Sequence, residues 1–300
     1  MTASNSLSDE SKTVHFDSTA HLMNRISSQL ASQLSLVSLD GRRRPEPPAL
    51  VVVAHGSRDP RALSTVSSLL DKVREQRPGL AVHLGHIELN APLLTDTLKT
   101  LGNREAILVP LLLSRGYHVK RDIPEMAAET QVRARVAPAL GPHPLLVEAL
   151  HARLVEAGWE ESPRAGSAVV LAAAGSRDPE SKVDMARMAA LLSTRLGAPV
   201  VPAYATTAAP TVPAAIEALT ARGYDRVAIA SYFTAPGRFA RECAEAAPWI
   251  ASAPLGTHAA MADLLLHRYD QMTSLRGAGL CPSAAPPRGA SNHEQPALAV

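Results

Sequence analysis

One six-residue stretch occurs twice in this chain, and it limits the fold more than any other feature. His55-Gly-Ser-Arg-Asp-Pro60 follows the apolar run Leu50-Val-Val-Val-Ala54, and Ala174-Gly-Ser-Arg-Asp-Pro179 follows the apolar residues 168–173. Five of the six positions agree. The agreement extends outward: Pro92 matches Pro210, residues 106–113 match 226–233, and Leu140-Gly-Pro-His143 matches Leu255-Gly-Thr-His258, at offsets of 115 to 120 residues. A recurrence of that length, in the same order, is one domain-sized unit written twice. The chain of 300 residues has room for two such units.

Each copy alternates short apolar runs with amphipathic stretches, the pattern of βα units feeding a mostly parallel sheet. Residues 50–54 read as a buried strand, followed by Leu63, Val66, Leu69, Leu70 and Val73 at helical spacing. A second strand over residues 81–88 leads to a helix opened by Pro92, and a third over 106–113 leads through a loop to a helix with Pro124 in its first turn. A fourth unit runs from Arg135 into a helix ending near Gly158. The expected fold class is therefore α/β, with two similar domains over residues 48–160 and 166–275.

The ends differ in character. Residues 1–47 are rich in Ser, Thr and Gln and close in Gly41-Arg-Arg-Arg-Pro-Glu-Pro-Pro48, a composition that does not offset its own ordering entropy, so a disordered extension is expected. Residues 30–39 carry the apolar spacing of a transient helix. Residues 276–300 are rich in Ala, Pro and Gly and are expected to be a disordered tail.

Composition removes several function classes. A net charge of +2 gives no global field for nucleic acid or a membrane surface, and 3% aromatic residues leave few platforms for stacking bases. No apolar run approaches a membrane span and no secretory leader is visible. Cys243 and Cys281 lie far apart, without a disulfide framework, zinc ribbon or C-x-x-C pair, which points to a reducing, cytoplasmic setting.

A duplicated fold keeps its architecture in both copies and often its chemistry in one, so the positions that differ locate the site. His55 faces Ala174, His118 faces Arg238, and Glu88 faces Thr206. All three reactive residues lie at carboxyl ends of predicted parallel strands, the edge where open α/β sheets bind ligands. Two imidazoles and one carboxylate suit Fe, Co, Ni or Zn and leave positions open, and either imidazole takes protons near neutral pH. A strand-end turn residue is the alternative for His55, a solvated loop residue for His118 and a plain loop carboxylate for Glu88. His83 and His86 either extend a metal-handling surface or belong to an exposed strand face. His143 recurs as His258 and reads as structural. Ser57 and Arg58 recur in both copies, which suits a capping or loop-holding role, with ligand contact open for Arg58. Arg115, Lys120 and Arg121 form a local positive patch suited to a polycarboxylate.

Val51-Val-Val-Ala-His-Gly-Ser-Arg58, the Glu88 segment ahead of Pro92, and Gly116-Tyr-His-Val-Lys-Arg-Asp-Ile-Pro124 resemble the class II chelatases of tetrapyrrole synthesis, in the long, duplicated form that acts on sirohydrochlorin. The resemblance covers residues 49–274. It implies two flavodoxin-like chelatase domains, the second a degenerate copy, arranged as a pseudo-two-fold pair in a monomer. It implies His55 and His118 as metal-binding residues, His55 also as proton acceptor, and Glu88 with Leu113, Ser114, Arg115, Gly116 and Tyr117 as substrate contacts. Arg58, Lys120 and Arg121 complete the expected carboxylate anchors. It implies no tightly bound cofactor: the metal, Fe2+ or Co2+, is then a substrate on its way into sirohydrochlorin for siroheme or cobalamin. Ferrous iron is favoured, because no His-rich tract or C-x-x-C marks special cobalt handling. Two other readings stand beside this one. A metal or tetrapyrrole carrier would use the same histidines, and a histidine phosphatase would need an Arg where this chain has Ala54.

Overall fold

The computed structural model describes residues 46–206 and 208–277; the expectations for residues 1–45 and 278–300, the helix at 30–39 included, lie outside the described residues. The apolar runs become strands. β1 (Ala49–Ala54), β2 (Val82–His86), β3 (Ala106–Pro110) and β4 (Ala134–Val136) form one parallel sheet in the order β2-β1-β3-β4. β5 (Ser167–Ala173), β6 (Val200–Tyr204) and β7 (Arg226–Ser231) form a second, in the order β6-β5-β7. The counterpart of β4 is reduced to one bridge between Ile229 and Ala251. The fold is thus an α/β duplication with the same strand order in both copies.

The central strands are apolar at every position because both faces are covered. In β1, Leu50, Val52 and Ala54 enter one core and Val51 and Val53 another; in β5, Val169, Leu171 and Ala173 separate in the same way from Ala168, Val170 and Ala172. The first of these cores is continuous across both copies.

The helices are α1 (Pro60–Gln76), α2 (Leu94–Thr100), α3 (Ile123–Ala128), α4 (Pro144–Glu156), α5 (Pro179–Leu196), α6 (Val212–Ala221), α7 (Arg238–Glu245) and α8 (Ala259–Gly277). Val66, Leu69, Leu70 and Val73 are buried on α1, as their spacing requires. The helix expected to open at Pro92 starts at Leu94, with Leu93 at its cap. β3 stops at Pro110, which has no N–H to donate to a ladder. Between β3 and α3, His118–Asp122 form a π-helical turn, which apolar periodicity does not signal.

The last helix of each copy lies on the other copy. α4 packs against α5 and β7, while α8 packs against α1 and β3, and the two helices also meet each other. Polar ties follow the crossover. Lys72 Nζ donates to the Thr257 carbonyl at 2.6 Å, Arg77 forks onto Asp270 at 2.8 and 3.1 Å, and Arg135 donates to the Met272 carbonyl at 2.7 Å. No helix among the described residues is long and apolar enough to cross a membrane.

The recurrent histidines start these crossing helices. His143 caps α4, its Nδ1 accepting the Leu145 N–H at 3.2 Å, and His258 Nδ1 accepts the Ala260 N–H at 3.2 Å at the start of α8. An imidazole accepts there only while that nitrogen is unprotonated. Burial lowers both imidazoles below their ordinary value, with Arg268 and His267 adding to the effect at His143 and Arg153 at His258. In the window below the ordinary value of about 6.5, the unfolded chain binds protons that the folded chain refuses, so stability falls as the solution is acidified. The unfolding midpoint should drop between about pH 7.5 and pH 5. His143→Asn with His258→Asn, which keeps a capping side chain that does not titrate, should flatten that dependence in a calorimetric pH series.

Candidate functional site

The repeated hexapeptide is a turn that hands a strand to a helix. After β1 the chain passes through Gly56 at φ +105°, and a Cβ there would run into the Glu88 carbonyl oxygen. The two strand ends are laced together: Ile87 N–H donates to the Ala54 carbonyl at 2.9 Å, Glu88 N–H to the His55 carbonyl at 3.1 Å, and Ser57 N–H to Asn90 Oδ1 at 2.6 Å. Ser57 Oγ accepts the Asp59 N–H at 3.1 Å, and Asp59 caps α1 by accepting the Arg61 N–H at 3.0 Å. The Arg61 guanidinium bonded to Asp59 holds that carboxyl down to about 2. Ser176 and Asp178 repeat both bonds at 3.1 and 2.9 Å. Five positions agree because both copies build this frame; the sixth, His55 or Ala174, is free to differ.

His118 is set by the second copy. Asp184 of α5, whose side chain is 5% exposed, accepts the Arg115 backbone N–H at 2.9 Å and the Arg115 guanidinium at 2.7 Å. Ser114 Oγ meets Ser181 Oγ at 3.0 Å, and Tyr232 donates to the Leu113 carbonyl at 3.0 Å. Lys120 Nζ reaches Asp178 and Glu180, each at 2.6 Å. Lys120 holds the Asp178 carboxyl below the usual carboxylate range, and the same pairing raises the lysine.

So fixed, the His55 and His118 rings stand edge to face with centroids 4.7 Å apart. Asp122 Oδ2 lies 2.5 Å from His118 Nδ1, and Glu88 Oε1 lies 3.6 Å from His55 Nδ1. A carboxylate at His118 Nδ1 keeps the proton on that nitrogen and leaves the Nε2 lone pair available. Both imidazoles are about 40% exposed, so they are open to a ligand. β1 and β3 are neighbours while β2 lies on the far side of β1, so the two histidines flank the point where strand order reverses.

They open into a cavity of about 910 Å3 whose lining runs from Ala54 to Arg58, from Leu111 to Val119, from Ala173 to Arg177 and from Tyr232 to Ala240. Of the residues singled out in the sequence, His55, Ser57, Arg58, His86, Leu113, Ser114, Arg115, Gly116, Tyr117 and His118 line it. Glu88 stands beside His55, and its neighbour Leu89 is in the wall. Lys120 and Arg121 do not line the cavity: Lys120 is held by Asp178 and Glu180, and Arg121 lies 3.5 Å from Glu125. Among the described residues, no three His, Cys, Asp or Glu side chains are grouped to hold a metal.

Three residues escaped sequence reasoning, and a fourth, His86, lies elsewhere than on the exposed face offered for it. Asp122 sits one helical turn after His118, a spacing visible once a helix is known there. Arg177 was masked by belonging to the copy without imidazoles. Leu89, at φ +67° the non-glycine left-handed residue among those described, puts an aliphatic side chain 53% exposed into the cavity wall, and nothing in its local sequence announces that. His86 is not on an exposed strand face. It is 1% exposed, with Nδ1 3.2 Å from the Pro92 carbonyl, because the segment from Leu89 to Leu93 folds back over the end of β2.

The CbiX family model matches residues 49–157 and again residues 168–272. A sirohydrochlorin ferrochelatase of Priestia megaterium is 25% identical over 247 residues, 76% of this chain and 92% of that protein. A sirohydrochlorin cobaltochelatase of Methanococcus aeolicus is 36% identical over 81 residues, 26% of this chain, and the matched stretch spans 57% of that relative. SirB from Bacillus subtilis with Fe3+ superposes with a TM-score of 0.63 at 22% identity, covering 77% of this chain and 98% of SirB, a likeness of fold.

The packing of Gly56 against Glu88 is open to test. Gly79→Ala, at φ +87° in open space, should cost about 1 to 2 kcal/mol from backbone strain alone. Gly56→Ala adds a clash with backbone and should cost clearly more in denaturant unfolding.

Proposed function

Because this chain belongs to the CbiX family, we propose that it inserts a divalent metal, ferrous iron in preference to cobalt, into sirohydrochlorin. The observation that carries this reading is the pair of imidazoles 4.7 Å apart, His118 hydrogen-bonded to Asp122 and His55 with Glu88 3.6 Å from its Nδ1, facing a large, mostly apolar cavity. A metal that must be handed on needs donors that hold it briefly, and two imidazoles with an acid beside them are such a set. The cavity wall suits a flat macrocycle, and its arginines suit acidic side chains around the rim.

Insertion releases both inner pyrrole protons. In the proposed reaction the metal rests on His55 and His118 through Nε2 and leaves for the macrocycle. Each departing bond frees one lone pair, and each lone pair takes one of the released protons, His55 first. The cation so formed at His118 is stabilised by Asp122, and the one at His55 by Glu88. The same residues therefore deliver the metal and clear the protons. His55 and His118 would be the catalytic and metal-holding residues, Glu88 a catalytic partner and substrate contact, and residues 113–117 with Arg58 the remaining substrate contacts. Two imidazoles accept iron and cobalt alike. The preference for iron rests on the missing cobalt-handling motifs and is tested by competition between the two ions.

His55→Ala and His118→Ala should each abolish metal insertion, followed by absorbance over many turnovers, with the fold unchanged by circular dichroism. Asp122→Asn should lose roughly 10- to 100-fold, the usual effect of removing an outer carboxylate behind a ligand histidine. Stoichiometric capture of metal or tetrapyrrole without turnover in the unmodified protein would instead indicate a carrier, and undiminished insertion in either His→Ala variant would remove that residue from the mechanism.

A further inference from the structure

Four arginines line the cavity, and they differ in what they already hold. Arg115 is committed to Asp184, with Glu180 at 3.5 Å. Arg238 lies 3.7 Å from Glu242 and over the Phe239 ring. Arg58 and Arg177 are exposed, and neither has an ion pair or a side-chain hydrogen bond among the described residues. No Asp or Glu lines the cavity among the described residues, and much of the rest of its wall is aliphatic, with Leu63, Val66, Leu111 and Met185 in it.

The acids of the second copy explain this distribution. Asp178, Glu180 and Asp184 neutralise Arg115 and Lys120, two of the cations that sequence alone offers as anchors for an acidic ligand. Uncommitted positive charge in the cavity is left on Arg58 and, in the copy without imidazoles, on Arg177. The two occupy the same place in the same turn, each directly before the aspartate that caps the next helix. A guanidinium without a protein partner, beside an apolar wall and with no competing acid, fits a planar carboxylate through two parallel hydrogen bonds.

We infer that Arg177 is a carboxylate-binding residue of this site, holding an acidic side chain of the macrocycle while Arg58 holds another. Both copies then read the ligand's acid groups, and the first also handles the metal. This rests on sirohydrochlorin being the substrate.

The test is a metal-free optical titration of the full chain with sirohydrochlorin and with its fully methyl-esterified form. Arg177→Ala should weaken binding of the free acid about tenfold, the loss of one charge-assisted contact. Arg177→Lys should recover part of this, because it restores the charge without the fork. The ester should bind the unmodified protein and Arg177→Ala alike. In metal insertion the alanine variant should raise KM by the same factor with kcat within about twofold, a split that loss of fold would not produce. Saturable binding of the free acid by the unmodified protein with equal affinity in Arg177→Ala overturns the role of Arg177 alone. If the unmodified protein does not bind sirohydrochlorin, the substrate assignment falls, and this role with it.

Discussion

The loop that carries His118 is anchored on the buried carboxylate of Asp184. A carboxylate removed from water is costly unless its oxygens are occupied, and Arg115 occupies them from both its backbone and its side chain. One residue of the second copy thereby determines where the chain after β3 can run, and the π-helical turn that presents His118 starts three residues later. The 4.7 Å approach of His118 to His55 depends on a contact that neither histidine makes.

This alters what a degenerate copy contributes. The second sheet has lost one strand to a single bridge and has no imidazole at either site position, yet it supplies Asp178, Glu180, Ser181, Asp184 and Tyr232 to the loop that carries His118. The crossing of α4 and α8 makes the dependence mutual, since each sheet is covered by a helix that the other copy encodes. In the proposed division of labour, one copy offers metal donors and the other holds them in place and takes part of the substrate's charge.

How legible a feature was followed from how local its physics is. The strands were readable because burial on both faces forces unbroken apolar runs, and α1 because its apolar residues return every turn. The loop-holding role of Ser57 was readable because its bond to Asp59 is local and recurs, although the cap itself is Asp59 and Arg58 takes no part in it, and His143 and His258 read as structural because they recur. Lys120 looked like a ligand anchor because its partners lie about 60 residues away at the start of α5, where no local pattern reveals them. His86 looked like one of an alternating exposed pair because the segment that covers it folds back from beyond the strand.

The sequence by itself determined the duplication, the parallel α/β class and the asymmetry between His55 and Ala174, between His118 and Arg238, and between Glu88 and Thr206. These rest on periodicity and on residue identity at matched positions, which a linear chain carries in full. Only the tertiary structure decided which charges are already spent and which remain to meet a ligand. Ion pairing is a matter of distance in space: Arg115 and Arg177 both line the cavity, and among the described residues an acid from elsewhere in the fold reaches Arg115 but not Arg177.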